Sequence, residues 1–379
     1  MLGLFLFLII LSFSLAGICH FVFPKHFDLA ETCIIIAASL FIGTMAILIM
    51  SWNSTSDFDI LNGQVTSKVV ERVSCSHSYP CHCHTVTTGY GKNKSTTTEC
   101  DTCYEHPYDQ DWVVHSTIGS VDINRVDSQG LIEPKRWSIV QKDDPFSLSE
   151  RITNYVLAAP DSLYNNKSFP NDIKLYGKWL PKYPSIYDYY KFNHAINTGV
   201  IGLDIDSYNK ELADILRNIG PKKQANIIVV FVPVNDPAYL NALERHWLGS
   251  KKNDIVVAIG VTHYPKIDWA GAFTFGKSVK NQLLIVKMRD TIENVGDVSK
   301  VGDVVNQIRV NAEYYYNRQS MSNYEYLKHD YFPSATALIV SSIIYLIMLA
   351  GLLIWCWFND AFVNSSFGNG SIRRSNYFN

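Results

Sequence analysis

Five cysteines and four histidines fall between positions 75 and 106, and no other part of the chain concentrates residue types that can do chemistry. Cys81-His82-Cys83 and Cys100-Asp101-Thr102-Cys103 are separated by sixteen residues, with Cys75, His77, His84 and His106 close by. Two thiolate pairs brought together by a hairpin supply four soft ligands to tetrahedral zinc. A structural Zn2+ held by Cys81, Cys83, Cys100 and Cys103 is therefore expected. Disulfide bonding is the alternative, and a location outside the cytoplasm would favour it. Five is an odd number, so complete internal pairing is impossible and free or mixed thiols are a third reading. Catalytic zinc is not expected, because a thiolate-rich site is usually closed. Cys19, Cys33 and Cys356 lie in apolar runs and read as small packing residues.

Elsewhere chemistry is thin. His246 and His263 have no accompanying nucleophile, and no glycine-rich phosphate loop precedes a helix. Lys and Arg number 33 against 35 Asp and Glu, a net charge of −2 without a basic stripe. That balance argues against a nucleic-acid groove and against an acidic disordered tail. Tyr183, Tyr187, Tyr189 and Tyr190 superficially resemble a base-stacking strip, but only Lys178, Lys182 and Lys191 stand near them. A connector wrapped over a folded block is the better reading.

Three charge-free apolar runs bracket this material. Met1–Phe23, Thr32–Ser56 (apolar core Cys33–Trp52) and Tyr331–Asn359 are each long enough to match the roughly 20 residues that cross a hydrocarbon core. Transmembrane helices are expected at 1–23, 32–52 and 333–358, followed by a short tail at 359–379. A signal peptide is the alternative for the first, although its basic n-region is missing. Lys25 in the first loop and Arg373 and Arg374 in the tail place both on the cytoplasmic side, with Asp28 and Glu31 sharing that loop. Residues 53–330 would then face the periplasm or the exterior, with the lipid bilayer as a partner.

Between the runs, residues 57–142 read as a small β-rich module. Val65, Val69, Val70 and Val73 lead into the cysteines, and Trp112–Ile118, Val121–Val126 and Arg136–Val140 alternate as short strands do. Gly89–Lys94 reads as a polar loop tip. So little apolar material needs a covalent or metal staple. A connector rich in proline and aromatics covers 143–200, including Pro145, Pro160, Pro170, Pro181 and Pro184. From 203 to 330 helical and strand patterns alternate. Ser207 can cap a helix to about Asn218, ended by Gly220-Pro221. The strand Ala225–Val232 follows, then a helix capped by Asn235 or Asp236 and closed by Gly249. The strand Asp254–Val261 is apolar throughout, as a strand buried on both faces should be. Trp269–Phe275 is a third strand, Val279–Ile292 is ambiguous, and Val301–Tyr316 is a long helix. Strand–helix–strand at this spacing implies a parallel crossover in a sheet flanked by helices.

Two resemblances accompany these residues. Asn62-Gly63-Gln64-Val65-Thr66, the Cys-x-Cys pair and Cys100-Asp101-Thr102-Cys103-Tyr104-Glu105 resemble uncharacterised membrane proteins of tailed bacteriophages, and the likeness continues through Thr153-Asn154-Tyr155 and Ala158–Leu163. It implies a viral protein in the host inner membrane and brings no activity with it. Gln224–Pro233, Trp247-Leu248-Gly249 and Lys252–Ile259 resemble the first strand, helix end and second strand of the TPM domain. The chain departs from that family at Phe275-Gly276, where a glycine-rich turn is usual, and near Asp254, where a glycine is absent. The expected fold class is therefore α+β to α/β: a β-rich Cys-knuckle module plus a TPM-like α/β sandwich over 203–318, with three transmembrane helices.

Because some TPM domains are linked to calcium and phosphatase activity, acidic residues at strand ends are candidates for a hard cation: Asp204, Asp206, Asp236, Asn253 and Asp254. Helix caps and a turn explain the same residues. The expected function is a membrane-anchored, phage-encoded protein whose outer domain binds an unknown protein partner or modifies the host envelope without catalysis. The alternative is a metal-dependent, phosphatase-like hydrolase.

Overall fold

The computed structural model describes residues 2–23, 29–88, 95–159, 174–329 and 335–358. Lys25, Asp28, Arg373 and Arg374, the 89–94 loop tip, Pro160, Pro170, the 160–163 part of the phage likeness and the 359–379 tail lie outside them. The chain divides into two compact units, one of Met1–Ser56, Thr153–Asn165 and Tyr324–Asn379, the other of Asp57–Ile152 and Asn166–Asn323.

The first unit is helical. Its long helices are Leu2–Val22, Leu29–Thr55 and Ala335–Phe358, where the three apolar runs were read. Ala16, Ile35, Tyr345 and Leu349 form a small buried core, and the hydroxyls of Ser12 and Tyr345 are hydrogen-bonded. Phe21, Phe41 and Ile347 are exposed. Among the described residues, however, no helix is long and apolar enough to cross a membrane, which overturns the expectation of three transmembrane helices. An apolar run dictates that a helix forms, whereas a span also needs an unbroken apolar length of about 20 residues. The multi-pass location in a host inner membrane and the periplasmic placement of the remaining chain rested on those spans and fall with them.

The second unit holds the strands, which we number β1 (Ser56–Val73), β2 (Ser78–Thr88), β3 (Ser95–Tyr104), β4 (Asp109–Ser116), β5 (Gly119–Ile123), β6 (Pro145–Thr153), β7 (Ala195–Asn197), β8 (Asn226–Val232), β9 (Asp254–Gly260) and β10 (Trp269–Thr274). They make a sheet of order β5-β4-β1-β6, a second of order β10-β9-β8-β7, and the ribbon β2-β3. β7 and β8 run parallel to their neighbours in the second sheet, and β10 returns antiparallel to β9. A parallel crossover takes a dozen or more residues, more than the 261–268 link provides, so β10 can only return antiparallel.

Alternation along β8 and β9 divides the core. Ile227, Val229, Phe231, Ile255, Val257 and Ile259 face one cluster, packed by the helices Ile205–Lys223, Val279–Val295 and Val301–Tyr315. Ile228, Val230, Val232, Val256 and Ala258 face another, covered by the helix Tyr239–His246 and the aromatic connector. A strand whose residues alternate between two buried faces reads as a continuous apolar run. The connector is fastened by hydrogen bonds from Trp247 Nε1 to Pro181 O (2.8 Å) and from Tyr239 Oη to Trp179 O (2.7 Å).

Some local readings change. The helix begins at Ile205, with Asp204 accepting from the Ser207 N–H, and it runs through Pro221 to Lys223, past the expected end at Gly220-Pro221. The 279–292 run is helical, with Ser278 as its cap. Arg136–Val140 is no strand: Lys135–Ser138 is one helical turn, placing Trp137 edge-on to Trp112 at 4.7 Å.

β1 ties this unit together. From Val65 to Val73 it pairs with β4, while its first half lies against the second sheet. Asn62 Nδ2 donates to Asn226 Oδ1 (2.9 Å), Asn253 Nδ2 donates to Ile60 O (2.8 Å), Lys251 pairs with Asp57 at 2.5 Å, and Arg318 pairs with Asp59. Gly220 permits the approach, since a Cβ there would run into the Asn62 carbonyl.

Candidate functional site

β2 and β3 pair antiparallel from Ser78↔Tyr104 to Thr88↔Ser95, and almost every residue of the ribbon is exposed or half-exposed. The register shifts between Cys81 and His84, where His82 adopts a positive φ of 46°. Two residues then oppose one, which is a bulge. Cys81 is bonded to Cys103 (Cα–Cα 5.8 Å) and Cys83 to Cys100 (4.0 Å). The expected zinc set of Cys81, Cys83, Cys100 and Cys103 is thus not the arrangement present. Cross-strand neighbours in a ribbon meet in pairs, which suits disulfides, whereas a zinc ion needs four donors around one point. His82 lies beside Cys81 and Cys103, but sulfurs already joined to each other cannot act as thiolates.

A different set converges at the base of the ribbon. Cys75 follows the end of β1, His77 precedes β2, His106 follows β3, and Asp109 opens β4. The two connecting segments are held together by a hydrogen bond from Glu105 N to His77 O (3.0 Å). One ligand atom from each of Cys75, His77, His106 and Asp109 lies within 4.8 Å of the others, and these residues could hold a metal ion. Cys75 Sγ is 3.6 Å from His106 Nδ1, which is 3.3 Å from Asp109 Oδ1, and His77 Nδ1 is 4.0 Å from Asp109 Oδ2. Asp109 is held well below the usual carboxylate range, first by the Ser76 backbone N–H (3.0 Å) and then by the Arg125 guanidinium (2.7 Å), against the opposing effect of burial. It is therefore a carboxylate at neutral pH and an available anionic ligand. Reading the cysteines found Cys75, His77 and His106 as neighbours but missed Asp109. The His106-x-x-Asp109 spacing was the available signal.

The acidic strand ends do not form a site. Asp204 caps its helix and also accepts from the Ser207 hydroxyl, while Asp206 sits in that helix's first turn. Asp236 accepts from the Tyr176 hydroxyl and from Ala238 N, which together hold it below its ordinary range. Asn253 is engaged by β1. Asp254 is fully buried and accepts from the Ser250 hydroxyl, Lys251 N (2.9 Å), Asn226 Nδ2 (2.8 Å) and the Tyr183 hydroxyl (2.9 Å). Burial raises it to about 6 despite those four donors. None of the five belongs to a converging ligand group among the described residues. His246 is exposed at a helix end, and His263 lies next to the Thr262–Asp268 hydrogen bonds, away from both clusters.

No protein-family model matches the chain, and neither a curated protein nor a solved structure does. Its function is argued from the site alone.

Proposed function

We propose that this chain is a non-enzymatic binding protein that presents the β2-β3 ribbon to a protein partner, with a zinc ion on Cys75, His77, His106 and Asp109 fixing the ribbon's base. The observation that carries this reading is the ribbon itself, exposed along both strands yet cross-linked twice. An isolated two-stranded ribbon is marginal in water, so its order must come from staples rather than from a core. Rigidity on a projecting element lowers the entropy lost on association, which is useful for binding. Tyr79 and Tyr104 are exposed at its base end, and tyrosine is enriched where proteins meet. Four protein ligands describe a closed, structural zinc site, since a catalytic zinc keeps an open position for water. The disulfides support an oxidising setting. The likeness of residues 203–318 to TPM domains is part of the proposal and by itself favours neither binding nor hydrolysis. Hydrolysis has less support, because the acidic strand ends are engaged in caps and buried hydrogen bonds.

The test is elemental analysis of the purified full chain, then capture of partners with the wild type and a Tyr79→Ala/Tyr104→Ala variant. About one zinc per chain is expected, reduced in Cys75→Ser and His106→Ala with both disulfides intact, together with capture that depends on the two tyrosines. A zinc content unchanged by those substitutions, or turnover of a phosphate ester that tracks bound metal, would refute the reading.

A further inference from the structure

A cavity of about 400 Å³ opens between the β1-β6 side of the first sheet and the helix Ile205–Lys223, remote in sequence from the ribbon. Its size falls in the range of small-ligand sites, roughly 300–1,000 Å³. One wall is aromatic: Phe146 and Tyr190 are stacked at 4.9 Å with an interplanar angle of 9°, and Phe192 continues it. Arg136 also lines the cavity, lying 4.8 Å over the Tyr190 ring with its Nε 2.7 Å from Asp188 Oδ1. Its Nε and Nη2 are both buried without a well-formed hydrogen bond among the described residues, the Nε–Asp188 contact being an ion pair. A buried guanidinium donor left unmet is costly unless an acceptor arrives. His194, almost wholly buried, donates from Nδ1–H to Ile227 O (3.0 Å), which leaves Nε2 as an acceptor. Burial holds this imidazole neutral, lowering it to about 4.

The charges limit what can enter. Lys191 and Arg136 share Asp188, leaving one positive charge, and Asp144 supplies a negative one while accepting from Gln141 N (2.8 Å). A lining this near to neutral offers Arg136 to a single carboxylate but no second uncommitted cation to a dianion.

We propose that this cavity binds a small aromatic monocarboxylate, its ring against Phe146, Tyr190 and Phe192 and its carboxylate on Arg136. A ring hydroxyl or amino group on such a ligand could donate to His194.

Ligand-observed NMR on the full chain, with 4-hydroxyphenylacetate as the probe, tests this. The uncharged 4-hydroxyphenylethanol and phenyl phosphate serve as comparisons. Saturable binding of the carboxylate is expected, with the alcohol and the phosphate each weaker by about tenfold or more. Arg136→Gln should weaken the carboxylate by about tenfold more than it weakens the alcohol. Ala213→Phe, which fills the cavity from the helix side, should weaken both. Absence of binding at millimolar probe, equal binding of phenyl phosphate, or equal effects of Arg136→Gln on acid and alcohol would each overturn the proposal.

Discussion

Two deeply buried titratable groups of the second unit, Asp254 and His194, should oppose each other as the pH falls. Asp254 is raised from 3.8 to about 6, mainly by burial, so the folded chain holds its proton more tightly than the unfolded chain does. Its stabilising contribution is complete below about 3.8 and is lost as pH rises through 6. His194 is lowered from 6.5 to about 4, again mainly by burial, so its contribution is present above 6.5 and is lost as pH falls toward 4. Taken from pH 8 to pH 5, proton linkage gives a gain of about 1.4 kcal/mol from Asp254 and a loss of about 2 kcal/mol from His194. The wild type should therefore change by only about 0.6 kcal/mol on account of this pair. Substitution unmasks each half. His194→Asn keeps a donor for the Ile227 carbonyl and should gain about 1.4 kcal/mol over the same interval, whereas Asp254→Asn should lose about 2 kcal/mol. Urea unfolding of the full chain followed by tryptophan fluorescence at both pH values, with chelator present, measures the difference. Carboxylates held low by hydrogen bonds, such as Asp204, Asp236 and Asp297, act only below about 3.8 and do not enter this window. Parallel pH profiles for the two variants would show that neither group senses its burial as argued.

Three further outcomes are expected. Tyr183→Phe removes one of three donors to Asp254 Oδ2 and should cost about 1–2 kcal/mol in urea unfolding; no change would mean that the hydroxyl bond is idle. Cys83→Ser opens a loop of separation 17 and should weaken the ribbon by about 3 kcal/mol, seen as selective proteolysis within 78–104 while the rest of the unit resists. Arg125→Gln leaves every proposed zinc ligand in place but removes the partner that orients Asp109 at 2.7 Å, so chelator competition should show zinc held about tenfold less tightly. Unaltered competition would place Arg125 outside the support of that site.

The alternating block was legible because its local signals agree. Apolar runs at 226–232 and 254–260 read as strands buried on both faces, whereas the helix ends were less legible: Asp204 caps where Ser207 was expected, and Ser278 and Gly296 bound a helix whose run was ambiguous. β7 was hidden inside the connector because three residues carry no periodicity. Arg136–Val140 alternated like a strand, yet Pro134 and the packing of Trp137 on Trp112 turned it into a helical turn.

The sequence alone determined that residues 75–106 hold the chain's reactive side chains and that a stapled β-hairpin lies among them, because residue type and turn spacing are local properties. It also determined where long apolar helices form. Which cysteine meets which partner was decided only by tertiary structure. A single bulge at Cys81–His84 sets the ribbon register and directs four sulfurs into two disulfides. Asp109, which belongs to the next strand, is carried by the β1–β4 pairing to the side of Cys75, His77 and His106. Convergence on one point depends on how distant segments pair, which the His106-x-x-Asp109 spacing signals locally but cannot fix.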